Sequence, residues 1–141
     1  MKNLTLISIL LLLLSTTVFA QKNGGKSNQL EILNDSTFTQ VEELPSFEGG
    51  MTAFYEYVQK NMLYPEEARK NKVEGKVFIE FVVTKSGKIE STQVLRGIGA
   101  GCDVEAARVI KNSPKWTPGK QRGKAVNVKM VLPITFKLGK E

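Results

Sequence analysis

The chain has 141 residues, 41% hydrophobic and 24% charged, enough for one ordinary globular domain and little else. Its formal charge of +6 is a mild excess that serves solubility and favours anionic surfaces only weakly. There is no histidine and one cysteine, Cys102, so an intramolecular disulfide, a thiolate metal cluster and histidine-based acid–base catalysis are all excluded.

Residues 1–20 have the layout of an export leader. Lys2 is the positive start, residues 4–14 form an apolar run, and Val18-Phe19-Ala20 offers small or compact positions for cleavage before Gln21. The alternative is a short membrane anchor, because residues 4–20 reach the lower limit of roughly 17–25 residues for a spanning helix. Residues 21–40 read as a flexible N-terminal segment, polar and glycine-containing over 21–28. Within the mixed stretch that follows, Thr39-Gln40-Val41-Glu42 is expected to form a short extra strand. Pro45 and Gly49-Gly50 then punctuate the chain.

From Met51 the period is helical, with Phe54, Val58 and Met62 four residues apart. Tyr64-Pro65 breaks this helix, since a residue before proline leaves the helical region. A short helix over 66–71 follows, with Pro65 at its start and Glu66 and Glu67 at its positive end. Val77, Ile79, Phe81 and Val83 alternate with Phe78, Glu80 and Val82; both faces are largely apolar, which predicts a central strand. Lys85-Ser86-Gly87 is the turn into a second strand over 89–96, where loss of alternation between 89 and 92 predicts a bulge.

Cys102, Ala106, Val109 and Ile110 mark an amphipathic helix over 103–112. Residues 113–119 read as a turn-rich crossover. Residues 125–138 give a long half-buried strand, with Val126, Val128, Met130, Leu132, Ile134 and Phe136 on one face. Pro133 cannot donate to a ladder, which puts this strand at an edge. The expected fold is α+β: a three-stranded antiparallel sheet packed against two main helices in the order α-β-β-α-β.

Several residues together resemble the TonB C-terminal domain family. They are Tyr64-Pro65-x-x-Ala68, Val73-Glu74-Gly75-Lys76-Val77, Phe81-Val82-Val83, Gly87-Lys88-Ile89 and Trp116-Thr117-Pro118-Gly119-Lys120, in that order. Leu44-Pro45-Ser46-Phe47 and Gly49-Gly50 resemble a frequent variant. The resemblance covers residues 41–138 and leaves 139–141 as a tail. It implies a periplasmic, non-enzymatic binding module without cofactor or metal. The partner it implies is the TonB box, a short segment of TonB-dependent outer-membrane receptors. That segment pairs with the last strand as an added β-strand, in support of energy-coupled transport. It also implies ExbB and ExbD as partners of an anchored form, and allows a homodimer. Typical members carry an anchor histidine and a long Pro-rich linker, and this chain has neither. A soluble binding module or adaptor is therefore the reading that fits best. Its alternative is a structural or regulatory envelope module that binds peptidoglycan or another protein.

The partner-binding strand is expected over Ala125, Val126, Asn127, Val128, Lys129, Met130 and Val131. If the missing N–H of Pro133 faces the open edge, Asn127, Lys129 and Val131 offer the pairing backbone. Tyr64, Pro65, Gly75, Trp116, Pro118 and Gly119 carry family identity rather than chemistry. Cys102 and Trp116 are expected in the core. Lys111, Lys115, Lys120, Arg122 and Lys124 make a basic patch, most simply a solvated face. Export argues against a nucleic-acid partner. The Gly97-x-Gly99-x-Gly101 spacing does not match a dinucleotide loop.

Overall fold

The computed structural model describes residues 36–139. The leader, the polar tail over 21–28 and most of the flexible N-terminal segment lie outside them. In chain order the elements are β1 (Thr37–Phe38), α1 (Gly50–Asn61), α2 (Glu66–Lys70), β2 (Gly75–Val83), β3 (Ile89–Arg96), α3 (Cys102–Lys111), β4 (Gly119–Gln121) and β5 (Lys124–Phe136). The architecture is α+β, and its backbone is the antiparallel trio β5-β2-β3 with β2 in the middle. The sheet has five strands rather than the expected three, because β1 and β4 both pair with β5.

The alternation in β2 decides which side is the core. Val77, Ile79, Phe81 and Val83 are buried, and Phe54 and Val58 of α1 and Ala106, Val109 and Ile110 of α3 close over them. Trp116 fills the centre. Its ring lies 5.4–5.7 Å from the rings of Phe47, Phe54 and Phe81, and its indole N–H donates to Ser113 Oγ (3.0 Å). An indole of this kind hides roughly 150–250 Å² of surface, about 4–6 kcal/mol at the usual coefficient. Cys102 is buried in the same cluster.

The bulge falls where alternation is lost. Val82 pairs with Glu90 and Glu80 with Gln93, so Ser91 and Thr92 share the space opposite Phe81, and Ser91 adopts φ 52°. Three helix positions shift by a residue or so: α1 starts at Gly50, α2 ends at Lys70 with Pro65 as its cap, and α3 starts at Cys102. The extra N-terminal strand is displaced more. It forms at Thr37–Phe38, not at 39–42, because the chain turns away after Phe38 so that Glu43 can bond Lys120 in both directions (3.1 and 2.9 Å).

Glu105 joins the α1–α2 connection to α3. Its carboxylate accepts from Leu63 N–H (2.6 Å) and, twice, from Arg108 (2.6 and 2.8 Å); Arg108 also donates to the Asn61 carbonyl (2.8 Å). The Arg108 hydrogen bonds, aided by Leu63 and opposed by burial, hold the Glu105 carboxyl below its ordinary value. A carboxyl lowered by folding stabilises fully above its unfolded pKa, and that contribution is lost as pH falls through the folded one. Glu105→Gln should cost about 1–2 kcal/mol at neutral pH, and the gap from the parent should close below about pH 4, measured by denaturant unfolding across pH.

At Gly87 the β2–β3 turn meets the crossover. Trp116 N–H donates to the Gly87 carbonyl (2.9 Å), and a Cβ on Gly87 (φ 81°) would sit 2.0 Å from Trp116 O. Gly87→Ala is expected to destabilise by about 3 kcal/mol or more. Gly99→Ala, at a similar φ of 74° but in open space, should cost only about 1 kcal/mol. Paired urea titrations distinguish the two.

Candidate functional site

β5 is the longest strand, and its pairing partners change along its length. Lys124, Ala125 and Val126 form a hairpin with β4 through the Arg122-Gly123 turn, where both residues have positive φ (51° and 73°). Asn127 and Val128 lie beside Thr37 and Phe38 in parallel. From Val128 to Phe136 the strand pairs with β2 without a register shift.

Backbone direction follows from these pairings. Thr84 N–H donates to the Lys88 carbonyl (2.8 Å), so Thr84 faces β3 and Val83, one residue back, faces β5. Val83 lies opposite Val128, so even-numbered residues 128–136 turn their backbone groups to β2. Residues 129, 131, 133 and 135 turn theirs outward. Pro133 thus loses no bond to Phe78, its neighbour on β2. On β4, Lys120 bonds Glu43, so Gly119 and Gln121 face Val126 and Lys124. β4 therefore continues the β2 side of the sheet past Val83, and β1 lies on the opposite side of β5.

The seven residues singled out in sequence are divided by this arrangement. Ala125 and Val126 belong to the hairpin. Asn127 and Val128 are flanked by β1, so they are not on an open edge; the two-residue strand that covers them is too short to show in a periodicity. Lys129 still gives its N–H to Phe38 of β1, and the run that no described strand covers begins at its carbonyl and passes through Met130 and Val131. This run continues past the expected limit to Thr135, a length that counting odd residues beyond Pro133 would have found. Along it Val131 is 46% exposed, and Lys129 Nζ pairs with Glu80 (3.1 Å).

The family positions serve packing. Tyr64 donates its hydroxyl to the Val73 carbonyl and stacks edge-on against Phe136 (5.7 Å). Gly119 admits close approach: a Cβ there would meet Val128 Cγ2 at 2.6 Å and Glu43 O at 2.9 Å. Gly75 opens β2 beside Ile98, Pro65 caps α2, and Pro118 is half-buried before β4. Burial, and then the Asp103 carboxylate, push the Cys102 thiol above its ordinary value, which suits a packed thiol and not a nucleophile. Among the described residues no three His, Cys, Asp or Glu side chains are grouped as metal ligands would be, and no helix is long and apolar enough to cross a membrane.

An α+β domain whose longest strand leaves half of one edge unpaired has the form of an interaction module. A family model described as the Gram-negative bacterial TonB protein C-terminal matches residues 60–138. The match spans more than half of the sequence, and the chain belongs to this family. Two NMR solution structures of the Helicobacter pylori TonB C-terminal domain are similar in fold. The one of residues 194-285 has TM-score 0.51 and 19% identity, over 64% of this chain and 96% of that one. The one of residues 179-285 has TM-score 0.49 and 17% identity, over 64% and 82%. No curated protein matches the chain.

The alternation along β5 makes a direct prediction. Amide hydrogens of Val131 and Thr135 should exchange roughly a hundredfold faster than those of Met130, Leu132 and Ile134. Hydrogen-exchange NMR reads this residue by residue, and equal protection at 131 and 132 would contradict the assigned edge.

Proposed function

We propose that this chain is a periplasmic, non-enzymatic binding module that docks TonB-dependent outer-membrane receptors, in support of energy-coupled transport. The receptor's box segment adds as a strand to β5. One observation carries the reading: from the Lys129 carbonyl to Thr135 the outward backbone donors and acceptors are used by no described strand. Family membership supplies the partner. An extended peptide gains main-chain bonds along such an edge, and its alternate side chains meet the face that bears Val131. The docking run includes Lys129, Met130 and Val131, and Asn127 joins it only if the β1 pairing is displaced. The leader exports the chain to the compartment where such receptors present the segment.

The test is a titration of the protein with box peptides followed by backbone NMR. Shifts should follow residues 129–135. Val131→Pro removes an outward N–H that no described strand uses, which an edge tolerates, and should weaken binding at least about tenfold while the fold persists. Lys129→Ala should bind within about threefold of the parent, since backbone groups carry the contact. Unchanged affinity in the proline variant would sink the assignment.

A further inference from the structure

Six cationic side chains gather at the end of the sheet formed by the β2–β3 and β4–β5 turns. Lys85 and Lys88 flank Gly87, and Lys115 lies across it, its Cγ 3.0 Å from where a Gly87 Cβ would be. Lys111 shares a surface recess with Ile89 and Glu90. Arg122 and Lys124 belong to the hairpin, which is tied to the first turn through Lys85 N–H and Asn127 Oδ1 (2.8 Å). All six are exposed, and among the described residues none forms an ion pair. Among the described residues the carboxylates on these turns and the strand segments beside them are Glu42, Glu43 and Glu90. Glu43 is paired with Lys120 (3.5 Å), and Glu42 accepts from Arg122 N–H (3.0 Å), so the excess remains positive.

Two further observations point the same way. Leu44 is 66% exposed, and it sits between Glu43, bonded to Lys120, and Pro45, packed near Gly119. The chain that precedes Ser36 joins the domain at this end too, since Thr37 lies beside Asn127. That preceding chain includes the apolar run over 4–14.

We propose that this end of the domain docks on the anionic headgroups of a lipid bilayer, with Leu44 reaching the headgroup boundary. Cations alone suit any polyanion. An exposed leucine beside them, on the side where the apolar run joins when it is retained as an anchor, suits a bilayer and adds nothing toward a polysaccharide. The docked orientation points the far end of β5, with its open edge, away from the surface. Each cation close to such a surface is worth roughly a fivefold gain in binding.

The test uses the chain in the form in which it is purified from the envelope, sedimented with phosphatidylcholine vesicles and with vesicles holding about one-third phosphatidylglycerol. The affinity ratio between the two lipids cancels whatever the apolar run contributes. The ratio should be large in the parent, collapse in high salt, and fall roughly thirtyfold in Lys85→Gln/Lys115→Gln. It should hold in Lys76→Gln/Lys137→Gln, which removes the same charge at the opposite end. Leu44→Ser should weaken binding to both vesicles. A parent ratio near one, equal losses in the two double variants, or charge-dependent binding to isolated peptidoglycan without vesicle binding would each overturn the proposal.

Discussion

The unshifted ladder between β2 and β5 is the constraint on which the rest depends. Nine successive pairs, from Gly75–Phe136 to Val83–Val128, hold one register. That register places Val77, Ile79, Phe81 and Val83 on the same face as Val128, Ile134 and Phe136, all buried. A slip of one residue would bring Lys129, Val131 and Thr135 to the core side and expose the residues now inside. The same ladder sets the outward direction of the odd-numbered backbone groups. Core and candidate docking edge are two consequences of one register.

The residues that carry family identity are not those of the proposed working surface. Trp116 joins α1, β2 and the loop at Phe47 through its ring, and it holds the β2–β3 turn through its backbone N–H. Gly119 lets β4 pass close to Val128, and Tyr64 closes the far end against Phe136. These positions need particular shapes. The open edge offers backbone, which any side chain can supply, so its identity rests on direction and exposure. A chain can thus belong plainly to the family while its docking residues look ordinary.

This difference explains what could be read from sequence. The helix carrying Phe54 and Val58, the two-sided apolar β2, the bulge near Ser91 and the buried face of β5 all show as periodicity, because each buries several side chains at fixed spacing. β1 and β4 are two and three residues long, and they are held by backbone pairing to β5 and by Glu43–Lys120. No alternation can appear over so few residues, and the hairpin turn uses Arg122-Gly123 instead of the usual Asn-Gly or Asp-Gly. The periodicity of β5 therefore extends the open edge over residues that β1 and β4 flank. Pro133 gives the direction of the outward backbone groups, since proline reports which way the missing N–H must point.

An exposed edge that takes up a partner strand also invites unwanted pairing, and β5 meets both demands within a few residues. The run is short, because β1 covers the strand up to the Lys129 N–H and β5 ends at Phe136. At its start stands Lys129, whose charge is held over the sheet by Glu80 rather than left to swing freely. Near its end Pro133 gives a carbonyl but no N–H. A long, regular strand pressed against this edge would leave an acceptor without a donor opposite Pro133 and would run into β1 at the other end. A short segment centred on Val131 avoids both losses. The edge therefore favours brief, registered pairing over sheet growth, through the same backbone groups that give it any affinity.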